Sequence, residues 1–225
     1  MAIYLHENLS LVDYCQDPCK TSSLPYWKIK SGIAINDLLI LHDQEYRVGD
    51  FSSFSDQQYF RLYHDLKRLP IATIDKQFFS RVVNIKKDID AIVNTINTSY
   101  EDIKVTALQV RKWTETVVYT PQLWLLIIDK NSSSTVGLGI ADFDFETKEG
   151  ILEWIQIVPS FRHRGLGRYL VASLLLEIKK FAEFATVSGQ INNLYKPERL
   201  YRYSGFTGTD IWHVMKKMTS HMDIY

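Results

Sequence analysis

The sequence predicts an α/β protein in which one central sheet is flanked by helices and preceded by an accessory region of mixed structure. Three observations carry this. From about Phe78 onward, apolar spacing alternates between strand and helix periods, in the order strand, helix, helix, three strands, helix, strand, helix, strand. One of these strands, Ile151 to Val158, runs through a loop with two glycines into a long helix at Gly167 to Ala182. A chain of 225 residues, 46% hydrophobic and 13% aromatic, is also ample for a sizeable core.

Residues 1–75 form the accessory region. There, Leu38 to Leu41 suit a short strand. Residues 55–69 read as an amphipathic helix, with Ser55 and Gln58 as a capping box and Tyr59, Leu62, Tyr63, Leu66 and Leu69 at helical spacing. The second part, 76–225, begins with a strand over Ser80 to Lys86. An apolar helical face follows at Ile89, Ile92, Val93 and Ile96 and ends near Asn97 to Tyr100, and a second helix covers Thr106 to Thr114. Strands over Leu123 to Asp129 and Thr135 to Phe145 are separated by the polar turn Lys130 to Ser134, and Glu149-Gly150 marks the next turn. After the long helix, Phe184 to Ser188 is a strand, Pro197 opens a helix through Tyr203, and Phe206 to Lys216 returns as a strand.

Charge and composition exclude several functions. With 26 Lys+Arg against 26 Asp+Glu the net charge is zero, which argues against nucleic acid as the partner. The longest nearly apolar run, Tyr169 to Leu176, is far shorter than the roughly 20 residues a bilayer requires, so no membrane partner is expected. The N-terminus has no basic start followed by an apolar stretch, so a cytoplasmic location is expected. Cys15 and Cys19, the only cysteines, read as reduced thiols. With six scattered histidines they predict no metal site.

The chemistry concentrates in Ile157-Val158-Pro159-Ser160-Phe161-Arg162-His163-Arg164-Gly165-Leu166-Gly167-Arg168. Glycines between a strand and a helix start let the backbone approach a ligand, and the first helical N–H groups point at it with the positive end of the helix dipole. Arg162, His163, Arg164 and Arg168 add local positive charge, so the loop reads as a phosphate cradle. No Gly-Lys-Ser/Thr exists for a Walker loop. A dinucleotide fingerprint lacks its third glycine, since Leu170 stands there, and Gly137-Leu138-Gly139, followed by Asp142, reads as strand packing.

What remains resembles the acetyl-coenzyme A loop of the GCN5-related N-acetyltransferase (GNAT) superfamily, Gln/Arg-x-x-Gly-x-Gly/Ala. Arg162-His163-Arg164-Gly165-Leu166-Gly167 matches every fixed position, and Leu200-Tyr201-Arg202-Tyr203-Ser204-Gly205-Phe206 resembles the superfamily's LYxxxGF element one helix and one strand later. The resemblance covers about residues 80–217 and implies a GNAT-like central mixed sheet flanked by helices. It implies acetyl-CoA as cosubstrate, without metal, and transfer to a primary amine of a small molecule or peptide in a direct ternary complex. Backbone groups from His163 through Gly165, Leu166 and Gly167 to Arg168 would hold the pyrophosphate. The strand at Ile155, Ile157 and Val158 would bind the pantetheine arm, splaying from its neighbour near Phe184 to Ser188. An Asn commonly precedes the motif's Tyr by seven residues, where this chain has Leu194; Asn193 either substitutes for it or caps the helix.

By the same resemblance Tyr201 lies beside the sulfur, where a phenol with an ordinary pKa near 10 can protonate the departing thiolate. Glu153, four residues before Ile157, is the candidate general base, directly or through water, and equally reads as a solvent-facing or salt-bridged carboxylate. Tyr100, Asp142, Asp144 and Trp212 are nominated for the acceptor side. The two aspartates equally fit outward strand positions, and Trp212 equally fits the core. A non-catalytic acyl-CoA-binding module is the alternative reading, and the accessory region would cover the acceptor site, extend the core or form a homodimer interface.

Overall fold

The computed structural model describes residues 9–31, 38–100 and 103–218, and these divide into two compact units. The smaller takes the described residues up to Leu62, residues 188–198 and those from Gly208 on. The larger takes Tyr63–Val187 and Arg199–Thr207. No helix among the described residues is long and apolar enough to cross a membrane.

In the smaller unit, three short helices, α1 (Leu11–Gln16), α2 (Pro18–Thr21) and α3 (Tyr26–Lys30), precede β1 (Leu38–His42). Strand β1 pairs antiparallel with β8 (Thr207–Lys217), from Leu38↔Lys216 to His42↔Trp212. Between them in the chain lies β2 (Phe54–His64), the segment expected to be helical. The aromatic residues that suit a helix face there suit a strand equally, and the ladder decides. Phe60, Leu62 and His64 are buried at period two. Arg61, which a helix would send to solvent, is 2% exposed and donates to the Pro18 carbonyl (3.2 Å), Ser188 Oγ (3.2 Å) and Tyr14 Oη (2.8 Å). Ser55 Oγ caps nothing and donates to the Lys216 carbonyl.

In the larger unit, β3 (Phe78–Val82) leads through Asn84, whose side chain caps the next helix, into α4 (Ile85–Ser99). The strand is therefore shorter than expected. Arg81 grips Asp88 with two bonds of 2.6 and 2.8 Å, tying strand to helix. Thr106 and Gln109 form a capping box for α5 (Ala107–Trp113). Strands β4 (Trp124–Asp129), β5 (Thr135–Asp144) and β6 (Glu149–Ile157) form an antiparallel meander. Glu149 and Gly150, expected at a turn, open β6, and the turn is residues 145–148 with Lys148 at φ 56°. Helix α6 (Leu166–Ile178), β7 (Phe184–Gln190) and α7 (Pro197–Tyr203) follow.

Strand order is β1-β8-β2-β7 in the smaller unit and β7-β6-β5-β4-β3 in the larger, with β2 and β7 divided between them and the first residue of β8 belonging to the larger. These eight strands make the mixed sheet flanked by helices that the sequence predicts.

One face of β4 and β5 buries Leu126, Ile128, Leu138 and Ile140 against Ile89, Ile92 and Ile96 of α4. The alternate residues receive α6, and Gly139 makes the approach possible. A Cβ there would stand 2.9 Å from Leu170 Cδ1 and 3.0 Å from Leu174 Cδ1. Gly139→Ala is thus expected to destabilise the protein by about 1–3 kcal/mol, lowering the thermal midpoint by about 2–12 °C.

Candidate functional site

Strand β6 positions the site. Within the larger unit it pairs parallel with β7 from Glu149↔Phe184 to Leu152↔Val187, where that unit's part of β7 ends, and β6 itself runs on to Ile157. The next residue of β6 forms a bulge. Against β5 the register passes from Ala141↔Leu152 to Ile140↔Trp154, leaving Glu153 as the extra residue. A bulge bends and twists its strand and interrupts the regular ladder, here between β5 and β6. Beyond it, Val158 N–H bonds the Val136 carbonyl across the β5 side. Strand alternation then turns the N–H and C=O groups of Ile155 and Ile157 away from β5, where the Ile157 carbonyl accepts from Arg162 Nε.

The loop after β6 makes the second part. Pro159–Phe161 form a 3₁₀ turn, His163 sits at φ 63° and Gly165 at φ 78°, and α6 starts with no side-chain cap. The first helical bond there is Tyr169 N–H to the Gly165 carbonyl, 3.1 Å. Ahead of it, the backbone N–H groups of His163, Arg164, Gly165, Leu166, Gly167 and Arg168 have no acceptor among the described residues. Consecutive N–H groups in left- and right-handed conformations form an anion-binding concavity, and the helix dipole adds to its field. Gly165 is there for its backbone, because a Cβ would meet nothing within 4 Å. Gly167 is there for closeness, because a Cβ would lie 3.3 Å from Leu200 Cδ2.

The cationic side chains divide. Arg162 turns inward, its Nε donating to the Ile157 carbonyl (3.1 Å) and a terminal nitrogen to the Ser99 carbonyl (3.3 Å), so it braces the loop against β6 and the end of α4. His163, Arg164 and Arg168 are exposed. Arg164 lies over the Phe161 ring and Arg168 lies 3.5 Å over the Tyr203 ring.

The LYxxxGF positions are explained one by one. Leu200 packs on Gly167, and Tyr201 is 7% exposed. Gly205 takes φ 97° where the helix ends, with the Ser204 and Phe206 N–H groups both bonding the Tyr201 carbonyl. A Cβ at Gly205 would lie 2.8 Å from Nε2 of the buried His64, whose ring meets Phe206 edge-on, and Phe206 in turn meets Tyr201 at 6.0 Å. Burial, with Tyr100 as the second cause, pushes the Tyr201 phenol well above its ordinary value and so keeps it protonated. Tyr100 accepts a bond from Gln156 Nε2 at 2.7 Å and meets Trp154 edge-on, while Trp113 stacks on Trp154 at 5.4 Å.

No family model and no curated sequence matches the chain. Solved structures do. A GCN5-related N-acetyltransferase from Sphaerobacter thermophilus superposes with a TM-score of 0.65 at 14% identity, over 84% of this chain and 64% of that one. Another from Kribbella flavida gives 0.57 at 14% identity, over 95% and 79%. A functionally unknown protein from Staphylococcus epidermidis gives 0.60 at 11% identity, over 94% and 82%. The chain has the GNAT fold. It spans under two thirds of the length of the Sphaerobacter structure.

Within this GNAT fold, the larger unit contains the cradle at His163–Arg168, the β6 backbone at Ile155 and Ile157, the bulge residue Glu153 and Tyr201. Asn193 belongs to the smaller unit, where its Oδ1 accepts the Tyr195 N–H at 2.9 Å in a turn ahead of α7. Trp212, nominated for the acceptor side, is a core residue of the smaller unit, 3% exposed with Nε1 donating to the Cys19 carbonyl. Asp142 and Asp144 do not point outward; both are buried. The inward brace of Arg162 and the contacts of Gln156 and Trp154 were invisible in the sequence, since each depends on which element crosses the strand. Among the described residues no group of His, Cys, Asp and Glu is placed to hold a metal ion.

Proposed function

We propose that this chain is an acetyl-CoA-dependent N-acetyltransferase that acts on a primary amine of a small molecule or peptide by direct transfer in a ternary complex. The observation that carries the reading is the run of six N–H groups leading into α6 that have no acceptor among the described residues, next to the bulged strand β6. Acetyl-CoA supplies the activated acetyl thioester when bound. The cradle N–H groups of His163–Arg168 fit its pyrophosphate in number and polarity, and the Ile155 backbone together with the Ile157 N–H offers a strand-like edge to the pantetheine amides.

Glu153, half-buried at the bulge, takes the proton that the acceptor amine must lose before attack, directly or through water. Tyr201 holds its proton until charge develops on the leaving sulfur and then donates it. Cys15 and Cys19 lie outside the stretch that carries the matched motifs, so no acyl-cysteine step enters the scheme.

Thermal unfolding with and without acetyl-CoA tests this reading first. At 100-fold excess over the dissociation constant, a ligand of the folded state adds about 2.7 kcal/mol, which corresponds to a rise of about 5–11 °C in the midpoint. Acetyl transfer to an amine should accompany the rise. A rise without transfer in a broad amine screen would favour the non-catalytic acyl-CoA-binding module, and no rise would refute both.

A further inference from the structure

On the sheet face that carries α4, aromatic side chains give way to acids. Trp154 pairs across with Ile140, and Asp142 and Asp144 follow Ile140 at period two on the same face of β5. Asp144 stands directly opposite Glu149, and Asp142 opposite Ile151, to which Thr186 of β7 is paired in turn. The Thr186 hydroxyl donates to Glu149 Oε1. Trp154, Trp113 and Tyr100 are half-buried, whereas Asp142, Asp144 and Glu149 are 9%, 5% and 0% exposed.

Two polar atoms at the acidic end are left over. Asp144 Oδ1 accepts the Glu146 N–H at 2.9 Å, but its Oδ2 is buried with no partner among the described residues. Thr147 Oγ1, 4% exposed in the same hairpin turn, is likewise unpartnered. Among the described residues no Lys or Arg forms an ion pair with Asp144. A buried carboxylate oxygen without a donor is costly and persists where something else repays it, commonly function.

We infer that the acceptor is a linear diamine or polyamine whose non-reacting ammonium is held by Asp144 with Asp142 and Glu149. This rests on the transferase reading above. The reacting nitrogen must be neutral when it attacks, so an acidic cluster serving that nitrogen alone would oppose the reaction. A second nitrogen that stays charged throughout is what such a cluster recognises. The half-exposed rings of Trp113, Trp154 and Tyr100 suit the passage of an organic cation. Asp142 lies opposite a residue two positions from Glu153, and Glu149 lies four positions from it. The separation along β6 is therefore about 7–13 Å, the reach of a linear diamine or triamine.

The test compares spermidine and 1,4-diaminobutane with n-butylamine on the full chain, by calorimetric binding and by acetyl transfer, in the wild type and in Asp144→Asn. The diamine and triamine are expected to exceed n-butylamine at least tenfold in kcat/KM. Asp144→Asn is expected to bring that ratio toward one, with the loss falling on KM. It keeps the acceptor for the Glu146 N–H while removing a buried charge, so it should also raise the unfolding midpoint of the ligand-free protein. A lower midpoint with an unaltered ratio would make Asp144 a structural acid and overturn the inference. Transfer to n-butylamine, or to a neutral tripeptide amine, as efficient as transfer to spermidine would overturn it while sustaining the transferase. Spermidine binding that is lost in Asp144→Asn, without any acetyl transfer, would sustain the cation site and count against the transferase.

Discussion

Tyr201→Phe is expected to lower turnover by about 10²–10³-fold while acetyl-CoA affinity stays within about twofold. The phenyl ring preserves the packing against Phe206, and the two backbone bonds that close α7 go to the Tyr201 carbonyl, which the substitution leaves in place. What is removed is the hydroxyl group, and with it the proton donor. Steady-state kinetics, with the thermal shift by acetyl-CoA as the control for binding, separates the two effects. Burial raises the phenol above its ordinary pKa near 10, so the donor form persists across the neutral and alkaline range. Wild-type turnover should therefore show no loss from Tyr201 ionisation up to about pH 10. Unchanged turnover in Tyr201→Phe would remove the residue from the mechanism.

Gly165→Val is expected to weaken acetyl-CoA binding by at least about tenfold, a loss of about 1.4 kcal/mol or more. At φ 78° a β-branched residue is strained, and relief of that strain would turn the consecutive N–H groups away from a common centre. A Cβ here meets nothing within 4 Å, so the effect is one of backbone conformation and not of crowding. Gly165→Asn is the matching control, because Asn tolerates the left-handed region and should retain most of the affinity. Equal affinity in all three proteins would show that the cradle is not the binding element.

The contiguous parts of the site were legible in the sequence. The cradle is a run of neighbours, so its geometry follows from two glycines placed between a strand and a helix. The motif at Leu200 to Phe206 was legible for the same reason, since a helix end, a left-handed glycine and a buried aromatic are close in the chain. Residues 54–64 were not legible. Tyr59, Leu62, Tyr63 and Leu66 fit one side of a helix, while Phe60, Leu62 and His64 fit one side of a strand, and the ladder that chooses between them is formed with distant residues. Asp142 and Asp144 show the same limit. Alternation says that they share a face, but only the cover on that face says that they are buried.

What the sequence determined by itself is therefore the alternation of strands and helices beyond Phe78, the phosphate-cradle loop and the glycine-ended helix that carries Tyr201. These rest on local backbone preferences and on periodicity, which act over a few residues. Tertiary structure alone decided that Glu153 is the extra residue of a bulge, that Arg162 braces the loop and that β2 is a strand. It also decided that Asp144 faces Glu149 out of water. Each of these depends on pairing register or on desolvation by residues far away in the chain, and register and burial are properties of the assembled sheet that no short stretch of sequence contains.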